Sequence, residues 1–367
     1  MTLEHAPPVS FSLHKRLLRP DEVPHGRTTA LGFHPDGKRL ISAHMWKAAQ
    51  RTFLVVWDLD TGAHRVMGRQ MGVVQRIGVL PDGRLVTASR PQGDDPGVVC
   101  FWAPSLEGQP LEVWTQRVMW WDFEARRAVL RDSNWHLQVR DLGHGEVSFE
   151  ADAADFRHPF HDPFAASPVA GANGVIFVPG NAEALSLRFD PADNEPEPVR
   201  WTLDFDIDKV SLSGDAALAA FVGFDDELEV RDARTGALKW VLTQSERPAV
   251  SEAVRFAQGH DLLVVPYEDG GVSVWSMKDG QQKAALPSPP DLHTLGSVRG
   301  PANRLGWSPQ GHLMLTHMDQ HLHLGDFDSG QWVGVWEEPV PIISWQWSAA
   351  ELLAVGNQDG EVVLVSS

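Results

Sequence analysis

The strongest constraint on the fold is a stretch that occurs twice. Residues 262–276 read LLVVPYEDGGVSVWS, and residues 352–366 read LLAVGNQDGEVVLVS. Each copy has two Val- and Leu-rich runs around an Asp-Gly pair, which is typical of two buried strands joined by a tight turn. An Asp-Gly pair can supply the positive φ angles of a type I′ hairpin turn. We therefore predict this turn type at Asp269-Gly270 and at Asp359-Gly360.

The position of Trp275, at the end of the second run, recurs at a regular interval along the chain. Its equivalents are on average 44 residues apart from residue 57 to residue 365, and this is the length of a four-stranded propeller blade. The eight positions are Trp57, Trp102, Arg140, Arg188, Arg231, Trp275, Gly325 and Val365. The repeat predicts an all-β fold, a single eight-bladed β-propeller over residues 1–367, with seven blades as the alternative.

Glycines keep the same register as the repeat. Five of them follow the repeat position by five residues, and three others close a Pro-containing turn earlier in the blade. Glycine allows the left-handed backbone that such turns need. The predicted turn glycines are Gly37, Gly62, Gly83, Gly145, Gly236, Gly280, Gly311 and Gly330.

The last repeat is one strand short. We place the blades at about 28–70, 72–116, 117–151, 165–203, 206–244, 249–287, 301–338 and 340–367. Residues 10–18, SFSLHKRLL, form a β-type segment that precedes the first repeat. We predict that this segment becomes the outer strand of blade 8, because closure by both ends of the chain leaves no interior sheet edge unpaired.

Blade 1 resembles the WD-repeat family of β-propellers. The residues that carry the resemblance are FHPDGKRLISA followed by FLVVWDLDTG, from Phe33 to Gly62, and the Trp-Asp pair itself occurs only at Trp57-Asp58. The resemblance covers nearly the whole chain at low stringency, and it implies a buried hydrogen-bond set of His25, Ser42 and Trp57. Asp232–Trp240, DARTGALKW, is similar to the tryptophan-docking motif of eight-bladed quinoprotein propellers, which implies that Trp240 locks adjacent blades together.

Charge and composition exclude several classes of partner. The formal net charge is -18 with a pI near 5.2, whereas phosphate binding needs clustered Lys and Arg. Cys100 is the only cysteine, which fits a reducing compartment. The first ten residues lack the pattern of a signal peptide, and no stretch has the apolar length of a membrane helix. We expect a cytoplasmic protein with no nucleic-acid or membrane partner. Frequent Arg, Ala, Gly and Pro suggest a GC-rich bacterial source.

The sequence contains none of the familiar catalytic motifs. His317, His321 and His323 have a spacing that could meet a zinc ion, but histidines on strands with both faces buried are more often part of the core. Asp204, Asp206 and Asp208 match only the start of a calcium loop. We expect no metal, no cofactor and no catalytic residue. The alternative is a hydrolase or lyase with an active site at the mouth of the channel.

Three long loops, at residues 43–52, 150–168 and 286–303, are predicted on one face of the ring. Aromatic, apolar and Arg side chains in polar loops are typical anchors for a protein partner, and aspartates near them favour a basic one. The candidate partner-binding residues are Met45, Trp46, Asp94, Asp95, Phe160, Phe164, Asp225, Asp226, Leu292 and Arg299. We therefore predict a non-catalytic scaffold that binds a protein or peptide. The alternative is that these loops fold back and bury the same side chains.

Overall fold

The computed structural model describes residues 10–90, 97–122, 126–132, 136–152, 170–172, 174–179, 182–189, 196–223, 227–242, 254–257, 261–267, 271–288, 304–308, 311–316, 320–327, 329–348 and 350–366. Within these ranges the chain is mostly β-strand, with one short 3-10 helix at Lys47–Ala49. The strands form eight four-stranded antiparallel sheets, arranged as the blades of a ring. The predicted eight-bladed propeller is confirmed, and the seven-bladed alternative is wrong.

The first strand of the chain, β1 (Ser12–Leu17), belongs to the last blade. Blades 1 to 4 contain β2 (Arg27–Phe33), β3 (Arg39–Trp46), β4 (Arg51–Asp58) and β5 (His64–Met71); β6 (Val73–Val79), β7 (Leu85–Arg90), β8 (Val99–Trp102) and β9 (Glu112–Trp114); β10 (Arg117–Asp122), β11 (Arg127–Arg131), β12 (His136–Asp141) and β13 (Val147–Asp152); β14 (Ala170–Ala172), β15 (Val175–Pro179), β16 (Glu183–Phe189) and β17 (Pro196–Thr202).

Blades 5 to 8 contain β18 (Ile207–Leu212), β19 (Leu218–Gly223), β20 (Leu228–Asp232) and β21 (Leu238–Val241); β22 (Arg255–Phe256), β23 (Leu262–Pro266), β24 (Val272–Ser276) and β25 (Gln282–Leu286); β26 (Arg304–Trp307), β27 (Leu313–Thr316), β28 (His321–Asp326) and β29 (Gln331–Glu337); and β30 (Ile342–Trp347), β31 (Leu352–Asn357), β32 (Val362–Ser366) and β1. The strand named first in each blade is its inner strand, and neighbouring blades touch through inner strands. The strand named last is the outer strand.

The turn glycines of the repeat have the predicted left-handed backbone. Their φ angles lie between 66° and 87°, and they are Gly37, Gly62, Gly83, Gly145, Gly236, Gly280, Gly311 and Gly330. In blade 1 the N–H of Gly62 donates to the carbonyl of Asp58 at 2.8 Å, which closes the turn between the third and fourth strands. A side chain at these positions would be strained, so the spacing of the glycines reports the register of the blades.

The Asp-Gly turn at the tip of blade 8 differs from the predicted type. Gly360 has a φ of 82°, but Asp359 has no positive φ. The N–H of Gly360 donates to the carbonyl of Asn357 at 3.3 Å, and the N–H of Asn357 donates to the carbonyl of Glu361 at 3.1 Å. This is a three-residue loop with glycine at the bulge position, and the type I′ prediction is wrong here. The copy at Asp269-Gly270 lies outside the described residues.

Outer-strand tryptophans pack on the turn of the following blade. A Cβ placed on Gly280 of blade 6 would lie 2.0 Å from the ring of Trp240 in blade 5, so the ring fills the space of a side chain. This contact confirms that Trp240 locks adjacent blades. In the same way, a Cβ on Gly145 would lie 3.4 Å from the ring of Trp114 of blade 2, and one on Gly236 would lie 3.8 Å from the ring of Trp201 of blade 4.

A buried hydrogen-bond set in blade 1 contains the predicted serine and tryptophan but a different histidine. Trp57 Nε1 donates to Ser42 Oγ at 2.7 Å, and Ser42 Oγ lies 2.6 Å from His44 Nε2. His44 and Ser42 share a face because they are two residues apart on β3. His25 instead lies on the surface, 3.3 Å from the Arg19 guanidinium. The assignment of His25 to this set is therefore wrong.

Blade 2 has a related set that reaches into blade 1. Trp102 Nε1 donates to Thr87 Oγ1 at 2.9 Å, and Thr87 Oγ1 donates to the side-chain oxygen of Gln70 on β5. Gln70 Nε2 in turn donates to the carbonyl of Val98 at 2.9 Å. Buried polar groups need hydrogen-bond partners. A glutamine from the outer strand of blade 1 supplies them for Thr87 and for the carbonyl of Val98 in blade 2.

The N-terminal strand closes the ring as predicted. β1 pairs antiparallel with β32, from Ser12 opposite Ser366 to Leu17 opposite Val362. Just before the strand, the ring of Phe11 meets the ring of Trp336 in blade 7 edge-on, with the ring centres 6.3 Å apart. Both ends of the described chain therefore share one sheet.

A buried carboxylate fastens β1 to blade 7. The side chain of Glu338 is fully buried, and its oxygens accept hydrogen bonds from Arg16 at 3.1 Å and from Trp336 Nε1 at 3.0 Å. Arg16 also lies 2.7 Å from Glu361 at the start of the final strand. Because an unpaired buried charge is costly, Arg16 is the residue that makes the position of Glu338 tolerable.

Arg16→Gln should lower the free energy of unfolding by about 2–4 kcal/mol, because it leaves a buried carboxylate without its cation. Arg39→Gln is the matched control: Arg39 is as exposed as Arg16, 30% against 31%, but its partner Asp36 is 32% exposed. The control should cost less than about 1 kcal/mol. Urea unfolding measures both. Equal losses in the two variants would contradict this account of Glu338.

The second prediction concerns acid. Burial, with a smaller contribution from Arg19, lowers the pKa of His44 to about 3, against 6.5 in an exposed histidine. The unfolded chain therefore binds a proton at higher pH than the folded protein, and stability falls as the pH drops below 6.5. We expect the free energy of unfolding to fall between pH 6 and pH 4 more steeply in the parent than in His44→Gln. The difference between the two slopes approaches about 1.4 kcal/mol per pH unit. Parallel plots of unfolding free energy against pH for the two proteins would contradict the lowered pKa of His44.

Candidate functional site

The loop face of blade 1 is the best described part of the predicted interaction rim. The turn between β3 and β4 and the connection from β5 to β6 both emerge at this end of the blade. Trp46 lies opposite Arg51, and Arg51 lies opposite Met71, so the three residues form a row across the strand ends. Phe53 and Arg69 form the next row on the same face. We call these five residues the blade-1 corner.

The blade-1 corner combines apolar and cationic groups. Met71 is 50% exposed, and Trp46 is partly buried, with its ring 6.3 Å from that of Phe53. The Arg69 guanidinium lies 5.7 Å from the centre of the Phe53 ring. Phe53 itself is buried and joins the core between blades 8 and 1. The buried ring therefore supports an exposed surface that carries a tryptophan edge, a methionine and two arginines.

A groove of about 480 Å³ runs beside this surface along the outer strand β5. Its wall on the blade-1 side includes Arg51, Arg69 and Met71, and Gly108 and Gln109 of blade 2 form the other side. Among the residues that the structure describes, those lining the groove include two arginines and no acidic side chain. Sequence reasoning missed Arg51, Arg69 and Met71. These residues could have been found from the length of the β3–β4 hairpin. Its register with β5 brings Arg51 at the start of β4 next to Met71 at the end of β5.

The two predicted anchors that the structure describes differ in exposure. Met45 is 8% exposed and lies in β3, opposite Arg27 of β2. Its side chain therefore offers little contact surface. Trp46 is only partly buried. A role for either residue in binding stays a prediction.

The other eight predicted partner residues lie outside the described residues. They are Asp94, Asp95, Phe160, Phe164, Asp225, Asp226, Leu292 and Arg299. The structure therefore brings together only Met45 and Trp46 from the predicted set. The acidic rim stays a prediction, and the cationic blade-1 corner is a separate finding.

The histidines of blade 7 lie in a packed environment. His323 is buried, its ring is 5.8 Å from His321 and 5.7 Å from Trp332, and His321 Nε2 lies 4.0 Å from Glu337. His317, the third residue of the zinc hypothesis, lies outside the described residues. Among the residues with described positions, no group of three or more His, Cys, Asp or Glu side chains could hold a metal ion.

The aspartates of the calcium hypothesis and the single cysteine lie in ordinary parts of the fold. Asp204 and Asp206 are exposed before β18, and Asp208 lies at a bulge of that strand. Cys100 is buried in the core between blades 1 and 2, and burial raises the pKa of its thiol to about 12. A thiol with this pKa is a poor nucleophile at neutral pH. Within the described part of the chain, no helix has the length and apolar composition that crossing a bilayer requires.

Comparisons with known proteins give the fold. No protein-family model matches the chain, and no curated protein matches it. The structure is similar to the C-terminal WD40 domain of Sif2, with a TM-score of 0.66, 13% identity, and coverage of 97% of this chain and 98% of that one. It is also similar to the computationally designed protein Ika8, with a TM-score of 0.65, 17% identity, and coverage of 94% and 98%. The chain is thus an eight-bladed β-propeller whose structural neighbours include a WD40 domain.

Proposed function

We propose that this protein is a non-catalytic scaffold of the cytoplasm that binds a protein or peptide through loops on one face of the propeller. The observation that carries the proposal is the blade-1 corner, where Trp46, Arg51 and Met71 stand in a row at the strand ends. Partly exposed aromatic residues, Met and Arg are the side chains that dominate protein interfaces. WD40 propellers, to which the fold is similar, generally mediate protein interactions.

The charge of the groove refines the partner. Arg51 and Arg69 line it, and the described lining contains no acidic side chain, in a chain with a formal charge of -18. A partner segment that lies here gains from acidic side chains, whereas the predicted aspartate rim favours a basic stretch. We therefore propose a partner segment with charges of both signs, acidic where it meets the blade-1 corner. Its association should weaken as salt is added.

Affinity purification from the source cells with quantitative mass spectrometry tests the proposal. Three baits are compared. The first is the parent protein, the second is a triple variant with Trp46→Ala, Arg51→Ala and Met71→Ala, and the third is a control with Leu238→Ala and Val241→Ala. The control removes two exposed apolar side chains from the outer strand of blade 5, where they are 49% and 55% exposed. We expect one partner to be recovered with the parent and the control, and at least tenfold less of it with the triple variant.

Measuring both the Kd for the purified partner and the stability of each variant then distinguishes a lost contact from a misfolded protein. The unfolding midpoint of each variant is measured first, because Trp46 also packs on Phe53. Trp46→Ala alone should weaken the Kd by about tenfold, the cost of an interface anchor, with the far-UV spectrum unchanged. Full affinity in a folded triple variant would place the interface elsewhere on the ring.

A further inference from the structure

The groove beside the blade-1 corner follows the free edge of the outer strand β5. Five consecutive residues, 67–71, line it. Alternate residues of a strand point to opposite faces of the sheet, so a groove that touches all five lies along the edge rather than on one face. Among the described strands, β5 pairs only with β4, and its eight residues make it the longest outer strand. The groove therefore lies where an added strand would pair.

The register of β5 with β4 decides which backbone groups face the groove. The N–H of Gly72 donates to the carbonyl of Gln50 at 2.9 Å, so these two residues form a hydrogen-bonded pair. Such pairs alternate with non-bonded pairs along an antiparallel ladder. Gln70 therefore bonds to β4, whereas the N–H and C=O groups of Arg69 and Met71 point to the outer edge. Within the described part of the chain, these outward groups have no hydrogen-bond partner.

The side chains at this edge favour an acidic segment. Arg69 lies opposite Phe53, and Arg51 precedes Phe53 by two residues on β4, so both arginines lie on the same face. The described lining of the groove has no carboxylate to offset them. A second copy of β5 would bring further arginines to this edge, and like charges on paired strands are destabilising. The edge therefore fits a partner strand with Asp or Glu at alternate positions.

The other face of an added strand would be turned to blade 2. There Leu111 and Val113 are 63% and 51% exposed. Val113 pairs with Cys100, which belongs to the core between blades 1 and 2, so this face of β9 is turned to blade 1. Gly108 and Gln109, which line the groove, lead directly to these two residues. Apolar residues between the acids of the partner strand would therefore face apolar side chains.

We propose that an extended acidic segment of a partner protein adds to β5 as a fifth strand of blade 1. Its backbone pairs with Arg69 and Met71, its acidic side chains meet Arg51 and Arg69, and the apolar residues between them face Leu111. In this mode of binding the main-chain hydrogen bonds give affinity and the alternate side chains give specificity. The inference rests on the function proposed for the blade-1 corner, to which it adds the mode of binding and the chemistry of the partner segment.

The probe is a fluorescein-labelled octapeptide of alternating Glu and Val, whose affinity is measured by anisotropy in a low-salt buffer. We expect saturable binding. A peptide with all its Glu residues before all its Val residues has the same composition without the alternation, and it should bind at least tenfold more weakly. Two further peptides are N-methylated at every Glu or at every Val. At least one of them should lose binding, because alternate N–H groups point to opposite edges of a strand.

Two substitutions at one position test the backbone of β5. Met71→Pro removes an N–H that faces the groove and that β4 does not use, and proline is tolerated at such edge positions. Met71→Ala is the matched control, because it loses the same side chain but keeps the N–H. We expect Met71→Pro to bind the alternating peptide at least tenfold more weakly than Met71→Ala. Arg51→Gln and Arg69→Gln should each weaken the Kd severalfold, whereas Arg234→Gln, in an exposed turn of blade 5, should not.

The Tm and the far-UV spectrum establish that each variant is folded, and the N-methylated peptides carry the backbone test if Met71→Pro is not. Strand addition is overturned if the alternating peptide does not bind, or if both N-methylated peptides bind with its full affinity. Equal affinity of folded Met71→Pro and Met71→Ala also overturns it. A native partner that is lost with the triple variant but kept in full by Met71→Pro would overturn strand addition and leave the proposed function intact. A native partner kept by the folded triple variant would instead contradict the proposed function itself.

Discussion

The structure depends on the contact that each blade makes with the next, because a four-stranded sheet on its own leaves two apolar faces exposed. The turn between the third and fourth strands is the recurring point of attachment. Lys15 of blade 8 donates to the carbonyls of Leu59 and Asp60 in blade 1 at 3.0 Å. Arg65 of blade 1 does the same to two carbonyls of blade 2 at 2.7 Å. Where the attachment is apolar, a tryptophan ring covers the turn glycine, as Trp240 covers Gly280.

This arrangement explains why both the glycines and the tryptophans recur. A left-handed glycine turns the chain and also leaves its Cβ space empty, so that a ring or the stem of a long side chain from the preceding blade can lie flat on it. The same geometry places peptide carbonyls where arginine and lysine reach them. In each of these contacts, a side chain from one blade therefore reaches the turn of the blade that follows it around the ring. In the pair of blade 8 and blade 1, the side chain that reaches the turn is Lys15 of β1, a strand from the other end of the described chain.

Much of the fold could be predicted because it follows from local residue chemistry. The spacing of the eight repeat positions gave the blade count, and the missing strand of the last repeat identified β1 as its outer strand. Interactions that depend on three-dimensional register could not be predicted in this way. The resemblance implied His25 for the buried set, whereas the observed contact joins Ser42 and His44, which share one face of β3. The turn at Gly360 departs from type I′ because Asn357 caps it with its side-chain oxygen.

The candidate site was less predictable than the fold. Trp46 could be identified as an unusual loop tryptophan, but Met71 joins it only because β5 is long enough to reach the tip of the hairpin.

Removal of residues 1–19 tests the central claim most directly, since it deletes β1 together with Lys15 and Arg16 while every other blade keeps its four strands. The measurement is the thermal midpoint of the truncated protein beside that of a control lacking only residues 1–9, which precede β1. We predict that the control melts within about 2 °C of the full chain and that the larger truncation lowers the midpoint by roughly 10 °C or more. A truncated protein that melts together with the control would show that the ring does not depend on this closure.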